Sequence, residues 1–285
     1  MFSAIRTTLF ASLLLALTVS AEIVVKNGES IAFLGDSITA LGNSSGGGYV
    51  NLVIAGLKAN GVDAVKIPAG ISGHKSNQML ARLKKDVLSK NPKIMTLSCG
   101  VNDVWHKQGV ALEDYKKNIT SIVEQAQAAG ITVCIMTATM ITENPTTPGN
   151  VKLDTYNEFL RELAAEKKCL LAETNLKMKS IIADFRKKYP EFKGNFLTYD
   201  GVHMNAMGDE MMAEAVLNAF GLDEAQIKTA KAFWQRNAKK SSIGKIQFSA
   251  ADVNKLIPLA AKKKMTVQQY IEYVIATLPA ESTNP

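Results

Sequence analysis

Five residues of this 285-residue chain have the types that an acyl transfer reaction needs. A serine hydroxyl is a weak nucleophile at neutral pH, so it requires a neighbouring base and a carboxylate that orients this base. Ser37, His203 and Asp200 fit the nucleophile, the base and the orienting carboxylate. The Asn102 amide donates two protons, and Gly73 lets the backbone approach a ligand closely. Both therefore fit donors to a developing oxyanion.

The elements that would position these residues alternate along the chain. Short apolar runs alternate with amphipathic stretches, which is typical of βαβ units that build a parallel sheet. The predicted strands are Ile31–Leu34, Ala64–Ile67, Ile94–Ser98, Thr132–Ala138 and Cys169–Ala172. The predicted helices are Tyr49–Asn60, Ser76–Lys90 with Ser76 as N-cap, Leu112–Ala129, Val151–Lys168, Leu176–Tyr189 and Ala206–Phe220. Such sheets bind ligands outside the carboxyl ends of their strands.

The candidate residues lie in loops that follow predicted strands or precede the last helix. These segments are Gly35–Thr39, Ala69–His74, Cys99–Asp103 and Asp200–His203. Each residue has a structural alternative, because Ser37 could cap a helix, Asn102 could occupy a turn, and Asp200-Gly201 is a common turn pair. Asp36 and Asp103 are expected to support their loops rather than to catalyse.

The four segments resemble, in order and spacing, the conserved blocks of the SGNH hydrolases, the GDSL-type esterase and lipase superfamily. The similarity extends over about Ile31 to Gly221. It implies a three-layer α/β/α sandwich of the flavodoxin-like type, with a parallel five-stranded sheet of order 2-1-3-4-5. The family often has an asparagine in the second block where this chain has Pro68-Ala69. This departure leaves the nucleophile intact but changes the support of that loop.

The resemblance also implies roles for the residues. Ser37, Asp200 and His203 would form the catalytic triad, and the N–H groups of Ser37 and Gly73 with the Asn102 amide would form the oxyanion hole. This chemistry requires no cofactor and no metal, and the sequence has no spacing typical of a metal site.

Three further side chains are candidates for a substrate cleft. His74, Trp105 and His106 lie next to the oxyanion residues in the sequence. The alternative is that the histidines face solvent. The resemblance implies a small-molecule or glycan ester as substrate, with an O-acetyl group on a carbohydrate as the first expectation, because many exported members of the family deacetylate glycans. The alternatives are a lysophospholipase or thioesterase with the same triad, and a non-catalytic binding protein on the same fold.

The first 21 residues have the pattern of a signal peptide. Arg6 precedes an apolar run from Leu9 to Val19, and small residues end at Ala21. The run is too short for a comfortable membrane span, which needs about 20 residues. We therefore expect export, to the periplasm or the medium, a hydrolase domain at residues 22–221 and no stable membrane span. Cys99, Cys134 and Cys169 are expected to be buried thiols, with one disulfide as the alternative.

Residues 222–285 form a C-terminal extension with a different charge. The chain has a net charge of +7, and ten basic and five acidic residues lie in this extension. The basic surplus therefore says little about the substrate. Helices are predicted at Leu222–Arg236, from Ser249 to Lys264 and from Thr266 to Leu278, with a strand at Lys245–Ser249. The extension is interpreted as a mainly helical annex, or as a strand-helix-helix module that forms a homodimer. Export argues against nucleic acid as its partner.

Overall fold

The computed structural model describes residues 22–192, 194–236 and 250–278. The expected signal peptide at residues 1–21 and the expected strand at Lys245–Ser249 lie outside these residues, so both stay predictions. None of the helices described is long and apolar enough to cross a membrane.

One parallel sheet of five strands forms the centre of the protein, in the order β2-β1-β3-β4-β5. This confirms the predicted fold class and strand order. The strands are β1 Ser30–Gly35, β2 Val65–Gly70, β3 Ile94–Ser98, β4 Thr132–Met136 and β5 Leu170–Ala172. β1 and β3 are the most deeply buried strands. Each has a neighbouring strand on both edges, and helices cover both faces of the sheet.

Two strand ends differ from the sequence prediction by more than one residue. β4 ends at Met136 rather than at Ala138, because the Asn157 side chain binds both the N–H and the carbonyl of Ala138 in place of a neighbouring strand. β2 continues through Pro68 to Gly70. A proline is tolerated there because β2 is at the edge of the sheet.

Helices cover both faces of the sheet. α2 packs against α8 and α9, while α5 packs against α3 and α6. The helices of the sheet domain are α1 Ser37–Ser44, α2 Tyr49–Ala59, α3 Ser76–Asp86, α4 Val101–Trp105, α5 Leu112–Ala128, α6 Pro148–Glu166, α7 Thr174–Lys188, α8 Ala206–Ala219 and α9 Glu224–Arg236.

α3 is shorter than predicted, and its start is capped from another segment. It ends at Asp86, and a separate 3-10 turn follows at Leu88–Lys90. The N-cap is Lys75, not Ser76. The N–H and the hydroxyl of Ser76 instead donate to the Asp103 carboxylate, which takes the place of a local cap.

The chain divides into two compact units, and α9 belongs with the sheet. Ala230 of α9 is fully buried, and the Trp234 Nε1–H donates to the Leu52 carbonyl of α2 at 3.0 Å. The second unit contains α10 Ala250–Lys262 and α11 Val267–Thr277. The hydroxyl of Thr266 caps α11 by accepting from the Gln269 N–H. The predicted dimer through this unit stays a prediction.

All three cysteines are free thiols in the structure. Cys99 and Cys134 are buried, whereas Cys169 is partly exposed. Burial raises the pKa of the Cys134 thiol to about 12. These thiols therefore behave as small apolar side chains at neutral pH.

Asp209 gives the fold a testable pH dependence. Burial raises the pKa of its carboxyl to about 7, and this effect outweighs that of the hydrogen bond from the Tyr49 N–H at 2.9 Å, which lowers the pKa. The folded state thus favours the protonated form of Asp209. The stability that this protonated carboxyl contributes is complete below about pH 4 and is lost as the pH rises through about 7.

Asp209→Asn keeps an acceptor for Tyr49 and has no charge. We expect its unfolding midpoint to equal that of the wild type near pH 4 and to exceed it by several degrees at pH 8. Thermal unfolding at both pH values checks this, and a difference that does not change with pH contradicts it.

Candidate active site

Ser37 lies where β1 passes directly into α1. Asp36 caps α1 by accepting from the Ile38 N–H at 2.9 Å, so Ser37 is the first helical residue. Gly35 is required at this turn, because a Cβ there would lie 2.0 Å from the Thr39 hydroxyl. The turn therefore presents the partly exposed Ser37 at the carboxyl edge of the sheet, with its N–H at a helix start.

Ser37, His203 and Asp200 form a hydrogen-bonded row. The Ser37 Oγ lies 2.9 Å from the His203 Nε2, and the His203 Nδ1 lies 2.6 Å from the Asp200 Oδ2. An ionised carboxylate can only accept, so Nδ1 carries the proton and Nε2 is free to accept from the Ser37 hydroxyl. The geometry is that of a nucleophile, its general base and an orienting carboxylate.

The carboxylate of Asp200 is held in its ionised form. Partial burial would raise its pKa, but the hydrogen bond from the His203 side chain and those from the N–H groups of His203 and Val202 outweigh burial and lower it. Its Oδ1 accepts from both N–H groups, at 2.8 and 2.9 Å. Asp200 is therefore charged at neutral pH, as a partner that stabilises a protonated imidazole must be.

Residues 196–205, here called the histidine loop, bring Asp200 and His203 to Ser37. The loop folds back on itself through an antiparallel bridge between Thr198 and Met204. The Tyr199 N–H donates to the His203 carbonyl, and the Tyr199 ring stacks on the imidazole with centroids 5.6 Å apart and planes 16° apart. The His203 imidazole is thus ordered by contacts within its own loop.

The loop after β2 is tied to the loop after β1 by Arg82 of α3. Its guanidinium donates to the carbonyls of Gly35 and Ala69, both at 2.8 Å, and to the Asp86 carboxylate at 3.0 Å. Its Nε donates to the His74 Nδ1 at 3.1 Å. Arg82 therefore supports the loop at the place where Pro68-Ala69 departs from the expected block.

Gly73 and Ser37 each offer an N–H group. Gly73 has a φ of 76°, in the left-handed region that favours glycine, and a Cβ there would meet no atom within 4 Å. Neither N–H donates to any residue that the structure describes. Both are therefore free to bind an oxyanion.

Asn102 is buried in α4 and is already engaged. Its Nδ2 lies 3.3 Å from the Asp36 Oδ2 and 3.2 Å from the His74 carbonyl oxygen. These contacts join the loops after β1, β2 and β3. A role of Asn102 as an oxyanion donor thus requires the amide to exchange one of these long hydrogen bonds, and this role stays a prediction.

Two buried carboxyls underlie the site. Burial raises the pKa of Asp36 to about 6, although the Ile38 N–H lowers it. Burial also raises the pKa of Asp103, against the hydrogen bonds from Ser76. Asp36 accepts from the Ile38 N–H and the Asn102 amide, and Asp103 accepts from the N–H and hydroxyl of Ser76 and from the Cys99 thiol. Neither forms a hydrogen bond with the Ser37 hydroxyl in the described structure. Their contacts are those of supports, as the sequence analysis expected.

The three predicted cleft residues have different surroundings. His74 is partly buried against Arg82, and burial together with the Arg82 charge lowers its pKa, so its Nδ1 acts as an acceptor. Trp105 is 52% exposed at the end of α4 and meets the exposed His106 edge to face. Their contact with substrate stays a prediction.

Arg82 and Glu143 are two residues of the site that the sequence did not predict. Arg82 looks in the sequence like an ordinary charged residue of an amphipathic helix, and Glu143 lies in a loop with no motif. The side chain of Glu143 is nevertheless buried and accepts hydrogen bonds from the histidine loop. No sequence pattern of these residues indicates that they bind the backbone of distant segments.

A family model described as GDSL-like Lipase/Acylhydrolase matches residues 33–211. The chain belongs to this family. It is a carboxylic ester hydrolase of the GDSL type, and the matched range contains every residue of the hydrogen-bonded row.

Two esterases are similar in sequence to this GDSL-type hydrolase. An acetylxylan esterase of Geobacillus stearothermophilus is 27% identical over 221 residues, which cover 70% of this chain and 97% of the relative. Esterase TesA of Pseudomonas aeruginosa is 28% identical over 144 residues, covering 50% of this chain and 69% of the relative.

A crystal structure of Axe2, an acetylxylan esterase from Geobacillus stearothermophilus, is similar to this structure. The TM-score is 0.62 at 26% identity, with 70% of this chain and 97% of that chain covered. Further structures of Axe2 are described as catalytic mutants in which a serine, a histidine or an aspartate is replaced by alanine.

Arg82→Gln tests whether a single side chain supports this edge of the GDSL-type fold. A buried carbonyl that loses its partner costs about 1–3 kcal/mol, and Arg82 binds two. We expect the free energy of unfolding to fall by about 2–4 kcal/mol in urea titrations. The matched control is Arg161→Gln, which removes a more exposed arginine paired with Glu173 and should cost about 1 kcal/mol or less. Equal losses in the two variants would contradict the role of Arg82.

Proposed function

We propose that this protein is an exported serine esterase that removes O-acetyl groups from carbohydrates through an acyl-enzyme. The observation that carries the proposal is the row from Ser37 through His203 to Asp200, with 2.9 and 2.6 Å between successive polar atoms. The free N–H groups of Ser37 and Gly73 lie in the adjacent turns and complete the set of groups that acyl transfer requires.

In the first half of the reaction, His203 Nε2 takes the hydroxyl proton of Ser37 while the Ser37 Oγ attacks the ester carbonyl. The Asp200 carboxylate stabilises the imidazolium that results. The tetrahedral oxyanion accepts from the N–H groups of Ser37 and Gly73 and from the Asn102 amide. The C–O bond to the alcohol then breaks, and His203 gives its proton to the leaving oxygen.

In the second half, His203 takes a proton from water, whose oxygen attacks the acyl carbonyl of the Ser37 ester. The second tetrahedral intermediate collapses, the acid leaves, and the proton returns to Ser37 through His203. Each step uses the same three side chains, so the mechanism requires no group beyond those of the chain.

The acetyl and carbohydrate parts of the proposal are supported by the relatives. The acetylxylan esterase aligns over nearly its whole length, and in Axe2 the residue types mutated in catalytic variants are those of the row described above. Trp105, which is exposed at the end of α4 three residues after Asn102, offers a surface on which a sugar ring can stack. The proposal of export rests on the N-terminal sequence pattern.

A second candidate is an esterase for long acyl chains, of the lysophospholipase or thioesterase type. An open surface groove of about 850 Å³ lies beside Phe196, the first residue of the histidine loop. Its lining includes the apolar Phe185, Tyr189, Phe192 and Met207 and the charged Lys188 and Glu191. The groove has room for an acyl tail, and this volume is the observation that favours the alternative.

Substitution of the nucleophile tests the mechanism. We expect Ser37→Ala to lower kcat on 4-nitrophenyl acetate by about 10⁴-fold or more, because the covalent step is lost. Asn102→Ala should lower kcat by about 10²–10³-fold, the usual cost of an oxyanion donor. Steady-state kinetics on variants with wild-type circular dichroism measure both. Full hydrolysis by purified Ser37→Ala would refute the mechanism.

A series of acyl lengths separates the two candidate substrates. Nitrophenyl esters from acetate to palmitate differ only in the chain that the enzyme must accommodate. If the natural group is acetyl, kcat/KM falls sharply beyond butyrate, because a small acyl site excludes longer chains. A rise in kcat/KM with chain length would instead support the long-chain esterase and reject the acetyl proposal.

A further inference from the structure

Glu143 is a buried carboxylate that no step of the proposed reaction uses. It lies in the loop between β4 and α6, and only 6% of it is exposed. Its Oε2 accepts from the Phe196 N–H at 2.6 Å. Its Oε1 accepts from the N–H groups of Leu197 and Thr198, at 2.7 and 2.8 Å, and from the Thr198 hydroxyl at 2.8 Å. All of these donors belong to the histidine loop.

The charge of Glu143 is balanced by these donors rather than by a cation. Among the described residues, no lysine or arginine forms an ion pair with it. Hydrogen bonds to a charged acceptor are shorter and stronger than neutral ones, and a buried carboxylate without them is costly. Glu143 and the start of the histidine loop therefore order each other.

The turn that carries Glu143 is itself fixed. Thr142 has a φ of 62°, a left-handed conformation that a β-branched residue rarely adopts. The buried Asn150 of α6 holds this turn by donating to the carbonyls of Ile141, Thr142 and Asn144 and by accepting from the Ile141 N–H. A strained backbone that its surroundings hold in place is common at functional sites.

Hydrogen bonds of Thr198 connect Glu143 with the segment that contains Asp200 and His203. The Thr198 hydroxyl, which donates to Glu143, accepts from the Gly201 N–H at 3.2 Å. Gly201 directly follows Asp200, and Thr198 also pairs with Met204, which directly follows His203. A displacement of Thr198 would therefore move both ends of the segment that carries the base.

We propose that Glu143 is a positioning residue for acyl transfer, which fixes the histidine loop so that His203 stays within hydrogen-bond distance of Ser37. The inference rests on the proposed function, because it assigns the loop its catalytic importance. Misplacement of a catalytic group by about 1 Å costs up to about 10²-fold in rate. Loss of the Glu143 contacts should thus slow the chemical steps more than it weakens substrate binding.

Glu143→Gln is the test variant. It keeps the shape of the side chain but replaces one carboxylate oxygen by an NH₂ group, which faces N–H donors and cannot accept from them. We expect kcat on 4-nitrophenyl acetate to fall by about 10–100-fold while KM changes by less than about threefold. The kcat must be referred to the concentration of folded enzyme, because an unfolded fraction would also lower the apparent kcat at unchanged KM.

Glu173→Gln is the matched control. Glu173 also accepts hydrogen bonds, from Arg161 and Thr137, but makes no contact with the histidine loop. We expect its kcat to stay within about twofold of the wild type. The proposal is overturned if folded Glu143→Gln keeps kcat within about twofold, or if Glu173→Gln loses as much.

A second variant and a spectroscopic measurement make the test independent of the folding of Glu143→Gln. Thr198→Val keeps the backbone bonds to Glu143 and removes the hydroxyl link to Gly201, so we expect a smaller fall in kcat of about 3–10-fold at similar KM. An unchanged kcat in Thr198→Val would overturn the proposal where Glu143→Gln does not fold.

The proton of His203 Nδ1 reports the position of the base directly. In its hydrogen bond to Asp200 it should give a low-field ¹H resonance, which His203→Asn identifies by its absence. We expect Glu143→Gln, or Thr198→Val in its place, to broaden or shift this resonance and Glu173→Gln to preserve it. An unchanged resonance in all variants overturns the proposal.

Failure of this inference is distinguishable from failure of the proposed function. Active Ser37→Ala would refute the serine mechanism itself. Inactive Ser37→Ala together with unaffected Glu143→Gln would leave that mechanism standing and reject only the positioning role.

Discussion

The hydrogen bond between His203 and Ser37 is the contact on which the rest of the site depends, and it joins residues 166 positions apart in the chain. The parallel sheet positions Ser37, which lies two residues after the end of β1. It does not position His203, because the histidine loop follows α7 and belongs to no strand of the sheet. The 2.9 Å contact therefore needs support from outside the sheet.

The loops at this edge are also held by buried or partly buried ionisable side chains that bind backbone groups of other segments. Arg82 donates hydrogen bonds to two carbonyls, one in each of the loops after β1 and β2. Asp103 accepts from the first N–H of α3, and Glu143 accepts from three N–H groups of the histidine loop. Loops at a sheet edge expose backbone groups that no strand can pair, and each group left without a partner is costly when buried. One set of contacts thus satisfies these groups and holds the loops of the candidate site together.

The sequence was sufficient to predict what depends on local pattern. The apolar runs predicted all five strands, and the resemblance implied their order in the sheet. Strand ends were predicted less well, because β4 ends where the side chain of the distant Asn157 takes over its backbone bonds. The same dependence on distant segments explains why Arg82 and Glu143 were not predicted. Their function depends on which distant backbone they meet, and a single sequence does not contain that information.

The most direct test of this account is to trap the acyl-enzyme site covalently. A fluorophosphonate reacts with an activated serine and leaves an adduct of known mass, which peptide mass spectrometry can locate. The account predicts one adduct per chain, on Ser37, and a greatly reduced rate of labelling in His203→Ala. Labelling of a different residue, or equally fast labelling of Ser37→Ala, would contradict the assignment of the nucleophile and the site built around it.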